Sequence, residues 1–78
     1  MPTVLTIFGY RFYFFLNEHR PIHVHVKSGS EKAKIELEPE IRLVYNKGLK
    51  EQELNKVMEI CRIYKKDFII AWENRFME

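Results

Sequence analysis

The sequence predicts an α+β fold, an antiparallel meander of four or five strands with one long C-terminal helix packed on one face. Three observations carry this. The first 46 residues are dense in β-branched and aromatic side chains that alternate with polar ones. Turn residues punctuate that half at Gly9, Asn17, Pro21, Gly29-Ser30 and Pro39. From Lys50 the apolar spacing changes to threes and fours, and no Gly or Pro follows before Glu78.

The elements follow in order. "TVLTIF" is rich in β-branched residues and reads as a strand, which Gly9 ends as a turn or bulge. "YRFYFFL" is a second strand, with Tyr10, Phe12, Phe14 and Leu16 on one face and Arg11, Tyr13 and Phe15 on the other. "NEHRP" is a loop, because Asn opens turns and Pro21 has no N–H to give a ladder. "IHVHVKSGSEKAKIEL" reads as a hairpin about Gly29-Ser30, since a type II′ turn takes Gly first. That register pairs Ser28 with Glu31, Lys27 with Lys32, Val26 with Ala33, His25 with Lys34, Val24 with Ile35 and His23 with Glu36. Val24, Val26, Ala33 and Ile35 then share one face, while His23, His25, Lys27, Lys32, Lys34 and Glu36 share the other. A slip of one residue would mix the two sets, so their clean separation supports the register. "IRLVY" is the last strand, and "NKG" breaks the chain before the helix.

In the second half, Leu54, Val57, Met58, Cys61, Tyr64, Phe68, Ala71, Trp72 and Arg75 form one helical stripe, widened by Ile60, Ile63, Ile69 and Ile70. One helix across the sheet is expected, with 65–67 as the place for any break. The domain division is a single domain over 1–78, made of a β-rich half (1–46) and a helical half (49–76).

Size and composition narrow the function classes. At 78 residues the chain makes one domain, near the lower limit for a self-sufficient core. Aromatic residues make up 14% of it and give much buried area per residue. The lone Cys61 cannot form an internal disulfide or a Cys-rich zinc site. It belongs to the apolar helix stripe rather than to a nucleophilic site. The N-terminal "MPTVLTIFGYR" has no basic segment ahead of its apolar run, so no secretory signal is expected. The longest apolar run is too short to span a bilayer. The expectation is a soluble cytoplasmic protein with no membrane association. Net charge is +2, and the excess lies in the first 49 residues, where seven basic residues meet five acidic ones.

All three histidines fall within "HRPIHVH", His19 to His25. A metal site is one way to use them. Two imidazoles two residues apart on a strand share a face, His19 could close a zinc site from the loop, and Glu36 opposite His23 could add an oxygen. The lysines of the same face oppose a cation, so no cofactor is the favoured expectation and zinc on His19, His23, His25 and Glu36 is the alternative. An anion-binding or partner-binding face is the second way. Lys27 opposite Lys32 is a like-charge pair that a negative partner would relieve. His19, His23, His25, Lys27, Lys32, Lys34, Arg11 and Tyr13 would make that face, with exposed aromatics stacking on single-stranded RNA or DNA. An ordinary solvated edge, with His23 paired to Glu36 and the lysines keeping the chain soluble, accounts for the same residues without a ligand. Catalysis has little support, because no Ser or Cys nucleophile has a base fixed beside it.

The opening "MPT", the core "FYFFLNEHRPIHVHV", the strand "KAKIEL" and the helix ending "AWE" resemble the Domain of Unknown Function 4160 family of small single-domain bacterial proteins. The most specific element is the histidine loop, which in that family reads acidic-His-x-Pro-Pro-His-Phe-His. Glu18, His19, Pro21, His23 and His25 match it, while Ile22 stands for the second proline and Val24 for the phenylalanine. The resemblance brings no established activity. It implies a regulatory, toxin–antitoxin-like module with a protein partner encoded by a neighbouring gene, and a nucleic-acid target. A metal-binding protein or small metal-dependent hydrolase using the three histidines is the alternative.

Overall fold

The computed structural model of the chain describes residues 3–76. Five strands come first: β1 (Thr3–Ile7), β2 (Tyr10–Tyr13), β3 (His23–Ser28), β4 (Glu31–Glu36) and β5 (Arg42–Lys47). Two helices follow, α1 (Glu51–Ile63) and α2 (Lys65–Phe76). The strands form one antiparallel sheet in the order β1-β2-β3-β4-β5, a plain meander. No described helix is long and apolar enough to cross a membrane.

The β3–β4 register is the one expected, from His23↔Glu36 through Ser28↔Glu31. Gly29 sits at φ 61°, which a II′ turn requires of its first central residue. The pairing continues past the ladder, where Leu37 N–H donates to Ile22 O at 2.8 Å. At the β1–β2 turn, Phe8 (φ 53°) and Gly9 (φ 82°) are both left-handed, the signature of a type I′ hairpin. Phe8 is an outlier for a bulky residue there, and its ring stands out in solvent.

The core lies between the helices and one sheet face. Phe12, Val24, Val26, Ala33 and Ile35 are fully buried against Val57, Cys61, Phe68 and Trp72. Phe12 meets Phe68 at 5.2 Å between ring centroids, and Phe14 meets Trp72 edge-on at 5.4 Å. Burial pushes the Cys61 thiol up to about 12, so it is an inert core group.

Three expectations are corrected. The helix is not continuous: α1 ends at Tyr64 (φ −101°, ψ 13°), one residue ahead of the 65–67 window, and α2 starts at Lys65. The bonds Tyr64 N–H to Ile60 O and Phe68 N–H to Tyr64 O carry the chain through this one-residue interruption. Ile63 and Ile70 face solvent rather than the core. The second strand stops at Tyr13 rather than running to Leu16, so Phe15 and Leu16 belong to the loop that leads to β3.

Candidate functional site: a buried carboxylate and two imidazoles beside a row of cations

The face of the sheet away from the helices carries two distinct regions. The first is built by the loop between β2 and β3. This loop turns back over the sheet and places Glu18 between His23 and His25. His23 Nε2 lies 2.8 Å from Glu18 Oε1, and His25 Nε2 lies 2.9 Å from Oε2. The Phe15 N–H also donates to Oε2, at 2.8 Å. His23 Nδ1 is 2.8 Å from Pro21 O. All three side chains are buried, with 5–7% of their surface exposed.

Proton counting constrains this cluster. A carbonyl oxygen only accepts, so His23 donates through Nδ1 to Pro21. A ring nitrogen and a carboxylate oxygen at 2.8–2.9 Å need a hydrogen between them, and His23 and His25 each make such a contact. The two rings and the carboxylate therefore share three protons, one more than two neutral imidazoles and an ionised carboxylate contain. His25 Nδ1 is left buried with no partner.

Burial would raise the Glu18 carboxyl, but the Phe15 N–H and the two histidines outweigh it and hold it below the usual 4.5. Burial pushes His25 below the usual 6.5, aided by the charges of His23 and Lys34 and opposed by Glu18. Aromatic rings close the site. Tyr13 stacks on His25 at 5.4 Å, Phe15 covers it at 4.2 Å, and Trp72 of α2 meets His23 at 5.1 Å.

These positions correct the expected site. His23, His25 and Tyr13 were to face solvent, and all three are buried. The cover is the β2–β3 loop, joined at His23 by Trp72. Glu36 does not meet His23: although directly across the ladder, it takes Arg42 in a two-point contact at 3.1 and 3.2 Å. His19 is exposed, and the group of metal-capable side chains found among the described residues is Glu18, His23 and His25, without it. Glu18 is the functional residue that reading by alternation missed. Its only sequence signal was its match to the acidic position of the histidine motif.

The second region lies one residue pair further along the same face. Arg11 is opposite Lys27, Lys27 opposite Lys32, and Lys32 opposite Lys47. Four cations from four adjacent strands thus stand in one row with no acid between them. The next row reads Tyr13, His25, Lys34, Tyr45. Lys32 and Lys47 are exposed, and Arg11, Lys27, Lys34 and Tyr45 are half-buried. Arg11 Nε donates to Thr3 Oγ1 at 2.9 Å, with its guanidinium 5.3 Å from the Tyr13 ring. Lys47 was missed because β5 runs two residues past the expected end at Tyr45.

Fold and site together define a small α+β protein, a five-stranded meander backed by two consecutive helices, with a buried Glu–His–His cluster next to a basic strip. The chain belongs to the family described as domain of unknown function (DUF4160), whose model matches residues 9–73. No curated protein and no solved structure matches it.

Proposed function

We propose that this protein is a small bacterial, cytoplasmic regulatory module of toxin–antitoxin type that binds single-stranded RNA or DNA through the open face of its sheet. The observation that carries the reading is the row Arg11, Lys27, Lys32 and Lys47. Like charges directly opposite one another destabilise a sheet, and a polyanion laid along them removes that repulsion. The spacing of neighbouring strands gives the row a length of about 14 Å, which suits a backbone running across the strands. Lys34 and the half-buried Tyr45 beside the row add a further cation and a ring on which a base can stack. The regulatory, two-gene character is supported by the family resemblance alone. The same resemblance supports a protein partner, whose acidic surface is what this strip would meet if no oligonucleotide binds.

The test is the salt dependence of binding to a labelled single-stranded oligonucleotide. Three to four phosphate contacts give a log–log slope of about −2 to −3 for single strands. Changing Lys32 and Lys47 to Gln should flatten the slope by about 1.4. A flat salt response, or no binding to RNA or DNA at low salt, rejects the nucleic-acid reading.

A further inference from the structure

We infer that Glu18, His23 and His25 form a site for a divalent transition-metal ion of the zinc type. One donor atom from each residue lies within 4.8 Å of the others. Two imidazoles and a carboxylate are a donor set that zinc takes in three-ligand sites. Tetrahedral bonds of about 2.0–2.2 Å put neighbouring donors on the order of 3.3 Å apart. The two contacts to the carboxylate, at 2.8 and 2.9 Å, have to lengthen by about half an ångström, and a donor separation as wide as 4.8 Å has to close by about 1.5 Å.

The surroundings are those of a prepared ligand set. His23 Nδ1 donates to Pro21 O, the outer contact that commonly fixes a metal-bound imidazole in the tautomer with Nε2 free. Glu18 is held from behind by the Phe15 N–H, which leaves its remaining lone pairs for the ion. Both Nε2 atoms converge on the one carboxylate, and an ion between them would take the place of the hydrogens of these two contacts. His25 Nδ1 has no partner whether Nε2 carries a proton or a metal, so it does not favour either. Lys34, opposite His25, works against a cation. It is only half-buried, and its flexible stem lets the ammonium reach water. The site excludes His19 and Glu36, which sets it apart from a three-histidine site. It is also independent of the basic strip, so loss of metal binding leaves the nucleic-acid reading standing, and the reverse.

The experiment is calorimetric titration of the untagged full chain with zinc, and with magnesium as the control that prefers octahedral oxygen sites. One zinc per chain and no magnesium uptake is the expected result. Glu18→Gln and His23→Ala should each weaken zinc binding by more than about tenfold, the scale on which even outer partners of a metal site act, and His19→Ala should leave it unchanged. X-ray absorption on the zinc-loaded wild-type chain serves if a buried-site variant fails to fold. Two imidazole nitrogens at about 2.0–2.1 Å and a carboxylate oxygen are expected. No uptake at a several-fold excess of zinc overturns the inference and leaves a cluster held by protons alone. Binding that depends on His19, or a first shell without two imidazoles, overturns it as well.

Discussion

The open face of β3 has histidines at one end and a lysine at the other, and the two ends meet opposite fates. His23 and His25 are buried, hydrogen-bonded to one carboxylate and roofed by aromatic rings. Lys27 stands two residues beyond His25 on the same face, in a row of cations with no carboxylate among them. Strand, face and pleat are common to both. The difference is the β2–β3 loop, which delivers Glu18 to the histidines and stops short of the lysine row. Charge on one end is neutralised within the molecule. Charge on the other is left for solvent or for a partner.

The largest effect that bears on this contrast comes from the layer beneath both ends. Val24→Asp places an unpaired carboxylate at a fully buried core position. It should cost about 4 kcal/mol or more, enough to unfold so small a chain. Circular dichroism should then show no cooperative melt. A folded V24D chain would mean that the open face can be the core face.

Removing the carboxylate that separates the two ends is next. Glu18→Ala leaves the buried Nε2 groups of both His23 and His25 without their acceptor. A loss of about 3 kcal/mol is expected, as for breaking a buried pair. Arg42→Ala removes an exposed pair with Glu36 and should cost below about 1 kcal/mol. Equal effects in denaturant titrations would show that Glu18 is no more than a surface contact.

Acid should distinguish the ends without mutation. His25 is depressed in the fold, so the unfolded chain takes up a proton first as pH falls below about 6.5, and stability declines from there. Glu18 is also depressed, so its contribution is fully present above about 4.5 and is lost as pH falls through its lower folded value. Both therefore act in the same direction, and the melting temperature should fall in two stages on acidification. In the Glu18→Ala chain the lower stage should shrink. A melting temperature that rises between pH 7 and pH 5 would contradict the burial of His25.

The smallest expected stability effect is at the other end. Lys32→Gln with Lys47→Gln should change stability by no more than about 0.5 kcal/mol, with repulsion relieved and little packing lost. The same pair of changes should be the one that flattens the salt dependence of oligonucleotide binding. A large destabilisation would mean that these lysines pack structurally, and the two ends would then differ less than the charges suggest.

The alternation in "IHVHV" and "KAKIE" determined the hairpin, its register and the identity of the core face, because a period of two leaves one arrangement that keeps every valine and isoleucine out of water. The three-and-four spacing after Lys50 likewise determined a helical layer. The helix break was legible only as a place for an interruption at 65–67, one residue past Tyr64, since no Gly or Pro fixes its position. The fourth cation of the basic row depended on β5 reaching Lys47 after a slip in register between Lys34 and Ile35, which no periodicity announces. The histidine cluster shows the limit most clearly. Alternation put His23 and His25 on the face away from the core helices, as the ladder has them, and solvent exposure was the natural corollary. Whether that face stays open is decided by "FLNEHRPI", an aperiodic segment whose path comes from hydrogen bonds it makes only once the sheet exists. Glu18 is drawn to the two rings because their Nε2 atoms are already held side by side on β3. Local pattern can specify which side of a strand a residue occupies, but only the tertiary structure decides what lies on top of it.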